Sequence, residues 1–514
     1  MAGQDQFLAS IQNGYQFKGE SIKLGLGMLD GAVVENAEVK VPLRTMNRHG
    51  LIAGATGTGK TKTLQVIAEA LSDASVPVLL MDIKGDLSGI AAAGTENEKI
   101  KDRYQILKDV FKPSAFPVEL LSLSEEKGAR LRATVSEFGP ILLGKVLDLN
   151  DTQSGLLSML FKYCDDKGLP LLDLKDLTKI LQYAGNEGKA DIEKDYGKIS
   201  TTSTGTILRK VIELQQQGAD IFFGETSFEV NDLMRISDDG RGMISVLRVT
   251  DMQDRPKLFS TFMLQLLAEL YATMPEEGDL DKPKLVLFID EAHLIFNEAD
   301  KVLLEQIETI VKLIRSKGVG VYFCTQNPQD VPPAILSQLG LKIQHALRAF
   351  TANDRKDIKQ TAENYPESEF YKTEDLLTQL GIGEALVTLL NEKGVPTPLA
   401  QTYMIAPRSR MDVLTEDEIN GLVSKSKLIP KYNGAVDRES AYEILNAKLE
   451  AAASQEATPA PRYEAPKTTT VRNTTPQPKE EKSWLEKAIN SSAGKQVQRS
   501  VVRTLFGVLQ KMFK

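Results

Sequence analysis

The sequence predicts an α/β fold with a mostly parallel sheet, and three observations carry that expectation. Apolar runs without alternation recur along the chain, as in "LIAG", "VPVLLMDI", "KLVLFIDEA" and "GVYFCTQ". Strands of a parallel sheet look like this because helices cover both faces and leave no side for polar residues. Helical periodicity fills the stretches between several of these runs, as in "LFSTFMLQLLAELYATM" and "VLLEQIETIVKLIRSKG". Alternating strands and helices build βαβ units. Finally, "GATGTGKT" joins the run ending at Ala53 to a helical pattern, and "VPVLLMDI" supplies the second strand of a β-loop-α-β unit.

Length and composition set the bounds. With 514 residues, 42% hydrophobic and 26% charged, the chain has material for two domains or one domain with a large insertion. Its formal charge of -8 means that a DNA contact has to come from a local basic patch or a pore. Cys164 and Cys324 stand far apart, and His49, His293 and His345 form no cluster at metal-ligand spacing. Neither a disulfide framework nor a structural zinc site is expected. The N-terminus lacks the order of a signal peptide, and no apolar run approaches about 18 residues, so the expected location is the cytoplasm.

Residues 1–46 carry short apolar pieces broken by glycine, which reads as an N-terminal β region. The first part of the core is expected over 47–133. A helical insertion follows over 134–225, where "LLSMLFKYCDDKG", "LLDLKDLTKILQYAG" and "GTILRKVIELQQQG" have helical spacing and no strand pattern intervenes. The core resumes over 226–410, and 411–452 reads as a C-terminal helical region. Residues 453–482 are rich in Pro, Thr, Ala and charge, too poor in large apolar groups to offset their ordering entropy, and read as a flexible linker. Residues 483–514 regain helical spacing with six basic residues against one acidic. Such a basic amphipathic helix suits an anionic membrane surface, a partner protein or another subunit, and equally a return onto the core.

The glycine-rich loop points to phosphate. Gly54, Gly57 and Gly59 allow backbone angles that turn N–H groups inward on phosphate oxygens, and the helix that starts near Lys60 adds its positive end. Ala55, Thr56, Thr58 and Lys62 complete the expected binding loop. Lys60 is placed to reach the β and γ phosphates of ATP, and the Thr61 hydroxyl to ligate Mg²⁺.

The run "LVLFI" then delivers Asp290 and Glu291 to the carboxyl end of a strand, where open α/β sheets bind ligands. In this reading Asp290 holds Mg²⁺ through water, and Glu291 orients and deprotonates the attacking water. An acid beside the metal-binding Asp serves hydrolysis, which favours an ATPase over a kinase. Gln326, just past the next strand, reads as a γ-phosphate sensor or a loop cap. Arg315 and Arg348 are candidates for a charge reaching a neighbouring subunit's γ phosphate, with a solvated arginine as the alternative for each. Asp82 and Lys84 end the strand after the loop's helix, either as a polar turn or beside the phosphates.

These motifs resemble the HerA and FtsK branch of P-loop ATPases, and more closely the bacterial HerA-like helicase family typified by YjgR. The resemblance rests on "LIAGATGTGKTKTLQ", "LLMDIKGDLSG", "RATVSEFGPILLGKVLDLNDTQSGLLSMLFKYCDDKGL", "LVLFIDEAHLIF", "IRSKGVGVYFCTQNPQDVP" and "HALRAFTANDRK", from about Arg48 to Arg410. It implies a RecA-like core, Mg-ATP hydrolysis, hexameric rings and DNA translocation, with Gln326 as sensor and Arg315 the better finger candidate. The resemblance implies a nuclease or other protein partner, but HerA proper carries a fuller N-terminal β-barrel than the residues before this core, a departure that counts against nuclease docking. Two rival readings keep other functions open: the same engine acting on a protein cargo, and a nucleotide-binding module without motor activity.

Overall fold

The computed structural model describes residues 2–252, 255–278, 280–298, 301–434, 436 and 438–456. The chain divides into two units, one of Met1–Ala133 with Gln216–Val436, the other of Thr134–Gln215 with the chain from Asp437 onward.

The first unit is organised by one sheet of twelve strands. In chain order these are β1 (Ser21–Leu29), β2 (Ala32–Pro42), β3 (Gly50–Ala53), β4 (Val78–Asp82), β5 (Val118–Ser122), β6 (Ala129–Arg130), β7 (Ile244–Arg248), β8 (Leu285–Ile289), β9 (Val319–Thr325), β10 (Leu341–Gln344), β11 (Glu384–Leu389) and β12 (Ala400–Met404). Their spatial order is β2-β1-β12-β11-β10-β3-β9-β8-β4-β7-β5-β6. From β10 to β6 every neighbouring pair is parallel, and from β2 to β10 every pair is antiparallel. The sheet is therefore mostly parallel with an antiparallel flank.

Each half follows from its sequence. All residues of β3, β4, β8 and β9 are buried, as their unbroken apolar runs require. Helix α2 (Lys60–Asp73) buries Leu64, Ile67, Ala68 and Leu71, one stripe at helical spacing, into the same core as Ile52, Leu80 and Phe288. Leu64, Ile67 and Leu71 each contribute about 1.5–3 kcal/mol on burial. At the antiparallel flank, Asp30 and Gly31 both take positive φ, 50° and 77°, between Leu29 and Ala32. An Asp-Gly pair with two positive φ angles is the tight turn whose twist matches paired strands.

The N-terminal region departs from the expected β pattern. Ala2–Gly14 is a helix, α1, because Phe7, Ile11 and Tyr15 recur every fourth residue and are buried against the first unit's core. Tyr15 fixes this entry by donating its hydroxyl toward the carbonyls of Val387 and Pro398, at 2.9 and 2.8 Å.

The second unit is helical, with helices at Val135–Val146, Asp151–Lys167, Leu174–Gly185, Lys189–Tyr196 and Thr201–Gln216. The expected insertion over 134–225 ends earlier, at Gln215, and the expected helical region over 411–452 does not stay together. Helices Glu416–Lys425 and Ile429–Tyr432 belong to the first unit, whereas Ala441–Glu456 belongs to the second. Asp176 explains the second assignment: its buried carboxylate accepts the Ser440 hydroxyl and the Tyr442 N–H, besides the N–H groups of Leu172 and Asp173. The helix also runs past 453, into the expected linker, while the rest of 453–482 and the tail 483–514 lie outside the described residues.

Asp176→Ala leaves these donors unpaired. It is expected to destabilise the second unit by about 3 kcal/mol and to speed amide exchange across residues 441–456, measured by hydrogen exchange.

Candidate active site

The glycine loop leaves β3 at the carboxyl edge of the parallel block and enters α2 at Lys60. Gly54 has φ 150°, and a Cβ built there lies 2.5 Å from the Cβ of His345, so only glycine fits. Gly57 and Gly59 take φ 77° and 118° and wind the loop into the helix. The loop is fastened on three sides: Gly54 N–H to Thr325 O at 3.2 Å, Ala55 N–H to Ala346 O at 2.8 Å, and Gly383 N–H to Thr58 O at 3.0 Å.

Lys60 is buried and donates to the carbonyls of Gly54 at 2.7 Å and Ala55 at 3.3 Å. Burial and the Lys84 charge hold its ammonium below the usual lysine range, offset in part by Glu291 and Asp290. Thr56 and Gly57 are exposed at the loop's tip, and Thr61 is half-buried in the first turn of α2. Lys62 differs from expectation. Its ammonium donates to Met411 O at 2.5 Å, because its position on α2 turns it away from the loop, and any ligand contact at 62 is left to the backbone.

β9 separates β3 from β8, and this order sets the chemistry. β8 ends at Asp290 and Glu291, which are 2% and 3% exposed although both carry carboxyl groups. The Asp290 carboxyl is pushed up to about 6, first by burial and then by the Glu291 charge. Its Oδ2 is buried without a hydrogen-bond partner among the described residues. A buried, unpaired carboxylate oxygen facing a phosphate loop is what a hard cation requires, so Asp290 and the Thr61 hydroxyl fit Mg²⁺. Among the described residues no group of three or more His, Cys, Asp or Glu side chains is arranged to hold a metal, and Mg²⁺ shared with phosphate needs none.

Glu291 takes φ 47°, rare for a residue with a side chain. Lys84 ion-pairs with its Oε1, and His293 Nδ1 lies 3.1 Å from its Oε2. Burial pushes the Glu291 carboxyl up, but Lys84, His293 and Lys60 outweigh it and hold the group below the usual range.

The two edges of the sheet separate the arginines. Gln326 is exposed directly after β9, next to the Thr325 carbonyl that holds Gly54. Arg348 is exposed just past β10, also on the loop's edge. Arg315 is exposed before β9 begins, on the opposite edge. Seven residues of strand span roughly 20 Å, so Arg315 does not reach the loop of its own chain.

His345 carries no expectation from the sequence, yet it supports the loop. Its Nδ1 lies 2.9 Å from Glu384 O and its Nε2 2.9 Å from Thr63 Oγ1. A carbonyl only accepts, so Nδ1 carries the proton and Nε2 accepts the Thr63 hydroxyl. Burial pushes the ring down to about 4, which keeps this neutral tautomer at physiological pH. Arg103 then grips the carbonyls of Ile382, Gly383 and Met404 behind the turn that meets Thr58. A lone histidine in an apolar strand gives no sequence signal of such a role.

With one strand inserted between the loop's strand and the acidic strand, the sheet is that of RecA-like proteins, and the chain is a P-loop ATPase of that class. It belongs to the family described as helicase HerA-like C-terminal, whose model matches residues 29–513. The DNA double-strand break repair helicase HerA of Saccharolobus solfataricus is 24% identical over 392 residues, 75% of this chain and 68% of that protein. HerA of Sulfolobus acidocaldarius is 22% identical over 370 residues, 70% of this chain and 66% of that protein. The probable helicase MJECL08 of Methanocaldococcus jannaschii is 26% identical over 405 residues, 75% of this chain and 70% of that protein.

The bacterial conjugative coupling protein TrwB superposes with a TM-score of 0.50 at 14% identity, covering 79% of this chain and 94% of that one. A TrwB structure with ADP and Mg²⁺ matches with the same score, identity and coverage. At this identity the likeness is one of fold.

Gly54→Ala forces a Cβ into His345 and strains the backbone. The expected outcome is loss of nucleotide binding by at least about 100-fold in a titration with labelled ATP, while far-UV circular dichroism stays unchanged.

Proposed function

We propose that the chain hydrolyses ATP with Mg²⁺ and acts as a ring-shaped homo-oligomer, a hexamer, that moves along double-stranded DNA in the cytoplasm. The observation that carries the hydrolytic part is the acidic pair at the end of β8, one strand removed from the phosphate loop.

In this reading Lys60 leaves the loop carbonyls for the β and γ phosphates, and Thr61 and Asp290 hold Mg²⁺. The cation neutralises phosphate charge and polarises the γ-phosphoryl group. Glu291 orients a water and takes its proton as the water oxygen bonds to the γ phosphorus. The bond to the β-phosphate oxygen breaks, and ADP leaves with its electron pair. Gln326 contacts the γ phosphate or the water from the end of β9, and Arg348 is a further cation on the same edge.

Arg315 fits a different role. Its place on the far edge suits a charge offered to a neighbouring subunit's γ phosphate, which is why the reading requires an assembly. DNA as the track is supported by membership of a helicase family and by relatives whose names state DNA repair. A protein cargo is the second reading, favoured by the net charge of -8. A nuclease or other protein partner, and a membrane contact by 483–514, rest on the sequence alone. No helix among the described residues is long and apolar enough to cross a membrane.

Hydrolysis measured with and without duplex DNA tests the reading. Lys60→Ala is expected to lower turnover at least about 100-fold by removing phosphate binding, and Glu291→Gln to lower it as much while still binding ATP. DNA should stimulate the unaltered chain; stimulation by a co-purifying protein and not by DNA favours the second cargo. Arg315→Ala should reduce turnover about 10³-fold, and mixing it with Lys60→Ala subunits should restore part of the rate. An interface whose loop comes from an Arg315→Ala subunit and whose arginine comes from a Lys60→Ala subunit has both parts intact, and a mixture as inactive as its components refutes a finger in trans.

A further inference from the structure

Hydrolysis needs Glu291 free to handle water, yet its carboxylate is ion-paired with Lys84 and has His293 beside it. Lys84 pairs with Oε1, and His293 Nδ1 lies 3.1 Å from Oε2. The two partners of the ion pair differ in freedom. The Glu291 side chain is 4% exposed and fixed at the end of β8, whereas the Lys84 side chain is 37% exposed. The lysine is the more exposed end of the pair.

Its placement is built into the chain. β4 ends at Asp82, whose buried carboxyl accepts the N–H groups of Gly85 at 2.8 Å, Asp86 at 3.1 Å and Leu87 at 3.1 Å. Gly85 takes φ 77° to make that turn possible. The turn closes immediately behind β4 and holds Lys84 over the carboxyl edge beside β8, since Met81 pairs with Ile289. On the far side of the acidic pair stands Lys60, whose charge is felt by Glu291. Two ammonium groups, Lys60 and Lys84, thus flank the carboxylates of Asp290 and Glu291 at this edge. A triphosphate adds several negative charges to this edge, and the terminal phosphate outcompetes a single carboxylate for an ammonium within reach.

We propose that Lys84 exchanges between Glu291 and the γ phosphate, holding Glu291 until a triphosphate is bound. With the terminal phosphate present, Lys84 moves to it, and Oε1 is free to accept a proton from water. With a diphosphate, Lys84 stays on Glu291. Lys84 is a positioning residue for Glu291 in one state and a phosphate contact in the other. The inference rests on the Mg-ATP reading above.

Equilibrium binding tests it without turnover. The full chain is titrated, with Mg²⁺, with ADP and with the β,γ-imido analogue of ATP, for the unaltered protein, Lys84→Met and Lys84→Arg. Lys84→Met should weaken the analogue about tenfold and leave ADP unchanged, and Lys84→Arg should keep most of the preference. Glu291→Gln, which lacks the charge to hold an ammonium, should tighten the analogue more in the Lys84 chain than in Lys84→Met. An analogue-to-ADP ratio unmoved by Lys84→Met, or an equal tightening by Glu291→Gln in both backgrounds, overturns the exchange and leaves the Mg-ATP reading intact. Binding of neither nucleotide by the unaltered chain overturns both.

Discussion

Four charged side chains meet at the carboxyl edge of an apolar sheet, and the rest of the structure exists to make that meeting tolerable. Asp290 and Glu291 are almost completely withdrawn from water, a placement that is costly for unpaired carboxylates. Lys60 from one side and Lys84 from the other supply the compensating charge. The parallel block achieves this because all its strands end at one edge, so loops from β3, β4, β8 and β9 converge without any one of them being long. An antiparallel arrangement of the same strands would scatter those ends over two edges.

The parts of this site legible in the sequence were those whose chemistry is local. The glycine loop, its lysine and threonine, and the acidic pair are each adjacent in the chain, and each carries its own residue signature. The apolar strands are legible through their unbroken runs. What escaped was decided by partners far along the chain. The support of the loop by His345, Thr63 and Glu384 joins residues up to 321 positions apart and has no local pattern. Lys62 looked like part of the loop until the helix phase gave it to Met411. β12 gives no strand signal because its "AQTYM" lacks the apolar continuity of the parallel strands.

The N-terminal helix and the C-terminal helix show the same limit in the fold. Phe7, Ile11 and Tyr15 recur every fourth residue, whereas the glycines that follow break the chain into short apolar pieces that read as strands. For Ala441–Glu456, helical character was plain, and membership of a unit was not. That depended on Asp176, 264 residues from Ser440, whose carboxylate gathers the start of this helix.

One contact on the flank of the sheet connects the loop to the chain's outer strands. Gly383 donates to Thr58 in the loop, while Arg103 clasps the carbonyls on either side of Gly383 and stacks at 4.1 Å on the ring of Tyr403 in β12. The floor of the phosphate cradle is therefore tethered to the antiparallel flank through a rigid guanidinium. The back of the cradle and the outer strands thus share one fastening, the guanidinium of Arg103.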